Sequence, residues 1–215
     1  MHIETQIEQK ITRVLTFYLE CGIICCVTHK DSSCEARQNA CKGGETMPNA
    51  GKIFENEIKE SIPSNIMYYR IKDPAQGFGQ GATTRFSLHN QCDALLYKYP
   101  NLIALELKST QNTSIPFSLT ENNKSIKACQ IDGLCKFSLF HGISAGFLLN
   151  FRRTEHTYYL DIDDFLRFIV DTDKQSINEK DVIEYDGLLI PSKKKRTRST
   201  YSIEILFNRE EVEES

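Results

Sequence analysis

Two short runs of alternating apolar residues, separated by a tight turn, constrain this chain more than any other feature. Residues 91–97 and 102–108 read as strands, and the Tyr99-Pro100-Asn101 turn between them is short enough for a hairpin. In the second run Ile103, Leu105 and Leu107 alternate with Ala104, Glu106 and Lys108. Side chains alternate along a strand, so one face is apolar and the other carries an acid and a base. A hairpin centred between Tyr99 and Pro100 sets Asp93 across from Glu106, with Cβ atoms about 5 Å apart. Two carboxylates and an ammonium then converge on one face.

Carboxylates this close repel unless a cation sits between them. A hard divalent ion with oxygen ligands, Mg²⁺ or Mn²⁺, is the natural partner for such a donor set. A metal held there polarises a phosphodiester and lowers the pKa of an attacking water. Lys108 is placed to orient that water or to stabilise charge on the phosphate. A third carboxylate, Glu55 on a preceding helix, is a candidate for holding the metal through water. The pattern of an acid, then Glu-x-Lys, is equally what surface ion pairs on a sheet face produce.

Around this hairpin, helices and strands interleave, which points to an α/β chain with one mixed sheet. The spacing predicts a helix over 49–62, with Asn49 as N-cap, Ile53, Phe54, Ile58 and Ile62 on its face, and Pro63 ending it. Met67 to Ile71 reads as a strand, 73–84 as a glycine-rich loop, and Arg85 to Leu88 as the start of a further strand. Ser125 to Leu139 reads as a helix, and Ala145 to Asn150 as a strand within an uncharged run that suits the middle of a sheet. His156 to Asp161 reads as another strand. Ile162 to Ile169 reads as a short helix capped by Asp161 or Asp163.

The first 48 residues stand apart in composition. Ile3 to Leu19 has the three- and four-residue spacing of an amphipathic helix, and Ile23 to Val27 reads as a short strand. Of the eight cysteines, Cys21, Cys25, Cys26, Cys34 and Cys41 cluster here around His29. None forms the C-x2-C pair of a zinc knuckle, so a structural metal and small buried thiols both stay open. The chain therefore divides into a Cys-rich appendage over 1–48, a core over 49–190, and a segment over 191–215 with a basic cluster, a terminal strand and an acidic tail.

Several runs together resemble the RecU family of Holliday-junction resolvases. They are Gly51-Lys52-x-Phe54-Glu55, Cys92-Asp93-Ala94, the L-E-L-K-S-T run from Leu105 to Thr110, Asn112 to Phe117, and Lys127 to Leu134 with Gln130. The likeness spans roughly 49–169; the S-x-P-F element and the glutamine helix are its specific parts. The Glu-x-Lys alone marks the wider PD-(D/E)xK nuclease class. The resemblance implies a restriction-endonuclease-like core, a central mixed sheet flanked by helices. It also implies a homodimer, Mg²⁺-dependent cleavage and four-way DNA junctions as substrate. By position it makes Asp93, Glu106 and Glu55 metal ligands, Lys108 the catalytic lysine, and Gln130 an active-site residue that positions water or phosphate. Where the family carries a protruding stalk, this chain has the short glycine-rich stretch 72–90.

A net charge of −3 neither supports nor excludes a nucleic-acid partner, so local patches decide. Arg70, Lys72 and Arg85 flank the glycine-rich loop. Thr110 closes the second strand, and Arg152 and Arg153 follow the buried run. Lys193, Lys194, Lys195 and Arg196 form the basic cluster. All are candidate phosphate contacts, and all are also compatible with plain solvated surface. The longest uncharged stretches fall far short of the roughly 20 residues a membrane span needs. The polar N-terminus with Glu4 and Glu8 is unlike a secretory signal, which sets the cytoplasm as the expected compartment. Rival readings are a nuclease of the same fold acting on flaps or duplex, and a DNA-binding module without cleavage.

Overall fold

The computed structural model describes residues 50–71, 90–196 and 198–208. The chain divides into two units, Met1–Thr46 and Met47–Ser215, and the described residues all belong to the second. The amphipathic helix over 3–19, the strand over 23–27, the five clustered cysteines, the Asn49 cap, Lys72, Arg85, the strand from Arg85 to Leu88 and the acidic tail lie outside the described residues.

Helix α1 (Ala50–Ser61) buries Phe54 and Ile58, four residues apart on one face. It leads to strand β1 (Met67–Arg70), then β2 (Ala94–Lys98) and β3 (Asn101–Thr110). The β2–β3 hairpin has the expected register: Lys98 pairs with Asn101 across Tyr99-Pro100, and Ala94 pairs with Leu105. After β4 (Ser114–Pro116) comes helix α2 (Ala128–Ser138), whose return forms β5 (Ile143–Phe151), parallel to β3. Strand β6 (His156–Asp161) pairs antiparallel with β5 and runs into α3 (Ile162–Asp171). The Asp161 carboxylate accepts from the Asp163 N–H at 3.1 Å, so Asp161 is the cap. Strand β7 (Ser176–Asn178), helix α4 (Glu179–Glu184) and β8 (Leu188–Leu189) follow. The hairpin of β9 (Ser192–Lys194) and β10 (Ser199–Tyr201) comes next, and a 3-10 turn at Ile203–Phe207 ends the described chain.

The sheet order is β1-β2-β3-β5-β6-β8, mixed, with one parallel pair at its centre and helices on both faces. Strand β5 is buried from Ala145 to Phe151 on both faces, as its uncharged sequence requires. On one face Ala94, Leu96, Ile103, Leu105 and Leu148 pack with Phe54 and Ile58 of α1. Tyr201, Ile203 and Leu206 join the same cluster, so the segment after Pro191 helps to close the core. On the other face Phe147, Phe165 and Phe117 stack edge to face or tilted, with centroids 4.8 and 5.3 Å apart, beneath α3.

The α2 helix begins three residues later than its periodicity suggests. The Ile126 N–H donates to the Pro116 carbonyl at 3.1 Å, and the Ile126 carbonyl accepts from the Ser118 N–H at 3.2 Å. Those groups serve a bridge between Phe117 and Ile126 and are spent before a first helical turn can use them. The short strands β4, β7 and β8 carry too few residues for an alternation signal and were invisible to it.

Candidate active site

Strand β2 leaves β3 at Asp93. The Asp93 N–H still donates to the Leu105 carbonyl at 2.9 Å, but past that point the ladder ends and the Leu107 N–H lacks a strand partner. The Asp93 carboxylate takes that role, accepting from Leu107 N at 2.9 Å. One oxygen of Asp93 is thus anchored to the strand that carries Glu106. This is tighter than the cross-strand pairing expected from alternation alone.

Glu106 is 2% exposed. Its Oε1 accepts from Lys108 Nζ at 2.7 Å and from Gln130 Nε2. The other end of the Gln130 amide, Oε1, accepts from the Lys127 N–H at 3.0 Å at the start of α2. These two bonds fix which end of the amide faces Glu106. Sequence reasoning passed over Gly133, one turn further along α2. A Cβ there would lie 2.6 Å from the Gln91 carbonyl oxygen and 2.8 Å from Gln91 Cα. Only glycine lets the helix approach the backbone two residues before Asp93, and that approach brings Gln130 to Glu106. Its only sequence signal is an isolated glycine within a helical pattern.

Burial first, opposed by the Lys108 ammonium and aided by the Asp93 charge, pushes the Glu106 carboxyl up to about 8. At neutral pH the group therefore holds a proton unless more positive charge arrives. Cys92 lies under the same two carboxylates with its thiol pushed up to about 12, by burial first and then by Glu106 and Asp93. A thiol so high is neither a nucleophile nor a ready metal ligand at neutral pH. The available donor set is therefore oxygen only. Among the described residues no group of three or more His, Cys, Asp or Glu side chains forms a metal cluster. Two hard carboxylates suffice for a cation such as Mg²⁺, which keeps several waters and uses one or two carboxylates. The buried charge deficit at Glu106 and the oxygen donor set fit such an ion.

The structure thus gathers Asp93, Glu106, Lys108 and Gln130. Glu55 stands on α1, ion-paired with Arg70 at the end of β1. On β1 the Tyr68 phenol is raised, by burial first; Arg70 lowers it, and Glu55 and Asp93 raise it. Thr110 ends β3, where its carbonyl accepts from the Arg152 N–H at 2.9 Å. Arg152 and Arg153 are exposed in the β5–β6 turn, and Lys193, Lys194, Lys195 and Arg196 are exposed on the β9–β10 hairpin.

This is an α/β protein whose central hairpin carries an acid–acid–lysine cluster under a glutamine. No protein-family model matches the chain. It is 34% identical over 167 residues to the SPbeta prophage-derived uncharacterized protein YotM of Bacillus subtilis (strain 168), an alignment covering 71% of this chain and 82% of that protein. The chain belongs to the family of that protein. In structure it is similar to Hjc, a Holliday junction resolvase from the archaeal hyperthermophile Archaeoglobus fulgidus. The TM-score is 0.41 and the identity 16%, with 64% of this chain and 93% of that chain covered. No helix among the described residues is long and apolar enough to cross a membrane.

Proposed function

We propose that this protein is a divalent-metal-dependent endonuclease that hydrolyses DNA phosphodiesters, acting in the cytoplasm as a homodimer on four-way junctions. The observation that carries the reading is the buried Glu106, held by Lys108 and Gln130 beside an Asp93 locked to the same strand. A surface ion pair has no need of a carboxylate 2% exposed, and burying one is unfavourable without a task for it.

Asp93 and Glu106 would hold Mg²⁺ or Mn²⁺, with Glu55, ion-paired with Arg70, reaching it only through water. The ion supplies Lewis acidity at the phosphate and a more acidic water. Lys108 sits within hydrogen-bond reach of Glu106, so its ammonium is positioned to meet the attacking water or the charge that builds on the phosphate. Gln130 holds Glu106 in one rotamer, and its own amide is fixed by Lys127. The attacking water forms the new P–O bond, the leaving alkoxide departs, and the proton lost by water passes to solvent. Two such sites related by a two-fold axis would nick two strands of a symmetric junction. The RecU-like motif order supports the junction and the dimer, and the prophage origin of the relative suits a phage-borne enzyme of this kind.

The test is cleavage of a labelled four-way junction beside matched duplex and flap DNA in Mg²⁺, with the wild-type chain and Glu106→Gln. Paired symmetric nicks in the junction alone, lost in the variant, are the expected result. Equal cutting of all three substrates retains the nuclease and rejects junction selectivity. Tight junction binding without cutting assigns the fold to a DNA-binding module.

A further inference from the structure

Two basic stretches far apart in sequence meet in space. We infer that the Arg152–Glu155 turn and the β9–β10 hairpin form one preorganised surface for the backbone of duplex DNA, beside the site. This inference rests on the nuclease reading for its DNA partner, but its own observations are separate. The turn and the hairpin are joined by an ion pair between Lys194 and Glu155. Arg198 at the hairpin's return places its Nη1 at 2.8 and 2.7 Å from the two oxygens of Glu60 on α1. The free edge of β10 is also held by α1. The Ser199 N–H donates to Glu57 at 2.9 Å, and the Tyr201 N–H donates to Ser61 Oγ at 3.0 Å. The hairpin is therefore fixed on a helix and on the turn.

Those ion pairs use Glu155 and Glu60, and a third acid at the hairpin, Glu57, accepts from Ser199 N–H. Glu179, the next carboxylate along this edge, is taken by His156 and Tyr158. Arg152, Arg153, Lys193, Lys195 and Arg196 are left exposed, with no ion-pair partner among the described residues. Arg152 and Arg153 on the turn and Lys193, Lys195 and Arg196 on the hairpin are thus five exposed cations on two joined loops of a chain of net charge −3. The partner such a patch fits is a regular polyanion.

Its position fits the same partner. The turn starts where β3 ends, through the bond from Arg152 N to the Thr110 carbonyl. Thr110 lies four strand steps beyond Glu106, a span of about 13 Å at about 3.3 Å per step. Along a duplex that is about four base-pair steps at about 3.4 Å each. A backbone held at Arg152 is thus within reach of a duplex arm engaged at Glu106, while the hairpin extends that contact on the α1 side of the sheet.

The experiment is fluorescence anisotropy of a labelled duplex with the full chain in EDTA, so that no cleavage is required, across about 50 to 200 mM salt. The variant is Arg153→Gln/Lys193→Gln/Lys195→Gln, which alters exposed side chains only. The slope of log affinity against log salt is expected to become shallower by about 0.9 for each phosphate that is no longer neutralised. Glu155→Gln, which removes an acid from the patch and frees Lys194, is expected to tighten binding. A triple variant with unchanged slope and affinity overturns the inference. So does an equal loss in Lys136→Gln, whose lysine is paired with Asp132 on α2. If the wild type fails to cut DNA but the triple variant loses its salt slope, the nuclease reading fails and this surface stands. If cutting depends on Glu106 but the slope does not move, the reverse holds.

Discussion

The two faces of β3 are built to different ends. Toward α1 the strand presents Ile103, Leu105 and Leu107, buried against Phe54 and Ile58, in the manner of any half-sheet core. Toward α2 it presents Ala104, then Glu106 and Lys108, with the acid as buried as the leucines. One face maximises apolar packing. The other gives up that packing and accepts a desolvated carboxylate, tolerable only because Lys108 and Gln130 both donate to it. The same strand therefore separates stability from chemistry by a rotation of half a turn per residue, and substitutions on its two faces should fail in opposite ways.

The largest effect is expected on the chemical face. Glu106→Gln keeps the side-chain volume and an acceptor for Lys108 but removes a metal-binding charge. Cleavage should fall by about 10³-fold or more, roughly 4 kcal/mol of barrier, while circular dichroism and thermal unfolding show a folded protein. Activity within tenfold of wild type would remove Glu106 from the chemistry. On the packing face Leu105→Ala should do the reverse. It is fully buried, so a loss of about 2–5 kcal/mol of stability is expected in urea unfolding, with residual activity wherever the protein stays folded. A destabilised Glu106→Gln together with a tolerated Leu105→Ala would erase the distinction between the faces.

Gly133→Ala sharpens the comparison from outside the strand. The added methyl meets the Gln91 backbone, which has no flexible end to move aside. The helix must lift, and Gln130 lifts with it. Overpacking should cost about 1–3 kcal/mol, reduced by about 1 kcal/mol of gained helix propensity. Metal affinity, measured by titration calorimetry, should weaken about 10- to 100-fold, as for the loss of a supporting bond to a ligand. Gln130→Ala should reproduce the weakened affinity without the overpacking.

What the sequence made legible was local. A two-residue connection and strict alternation fix the β2–β3 register, since a slip of one residue would turn Leu105 out and Glu106 in among leucines. The pairing of Asp93 with the Glu106 strand followed from that, as did the central place of β5 from its lack of charge. The missing parts are those set by distant neighbours. Nothing near Gly133 in sequence announces Gln91 beside it. Nothing in Arg152 or Lys194 announces that a turn and a hairpin about forty residues apart share an ion pair. The late start of α2 has the same origin, since Ile126 gives its backbone to Pro116 and Ser118.

The smallest effect is a slope with pH, and it reads the chemical face directly. Glu106 ionises near 4.5 in the unfolded chain, and burial moves it up to about 8 in the folded one. Between those values the folded state binds the extra proton. The stability this contributes is whole below about pH 4.5 and is lost as pH rises toward 8. The metal-free protein should therefore lose stability across this window, by at most about 1.4 kcal/mol per pH unit from this one group. Glu179 does not imitate the trend: burial pushes it up, but hydrogen bonds from His156, Thr154 and Tyr158 hold it below its ordinary value. Its contribution is lost as pH falls, below the window in question. Urea unfolding in EDTA at several pH values, wild type beside Glu106→Gln, isolates the effect, because the variant has no proton to lose and its slope should be flatter. Saturating Mg²⁺ should flatten or reverse the wild-type slope, since a bound cation favours the ionised carboxylate. Identical slopes for the two proteins in EDTA would mean that Glu106 is already ionised when folded, and that the two faces of β3 differ in packing but not in electrostatic cost.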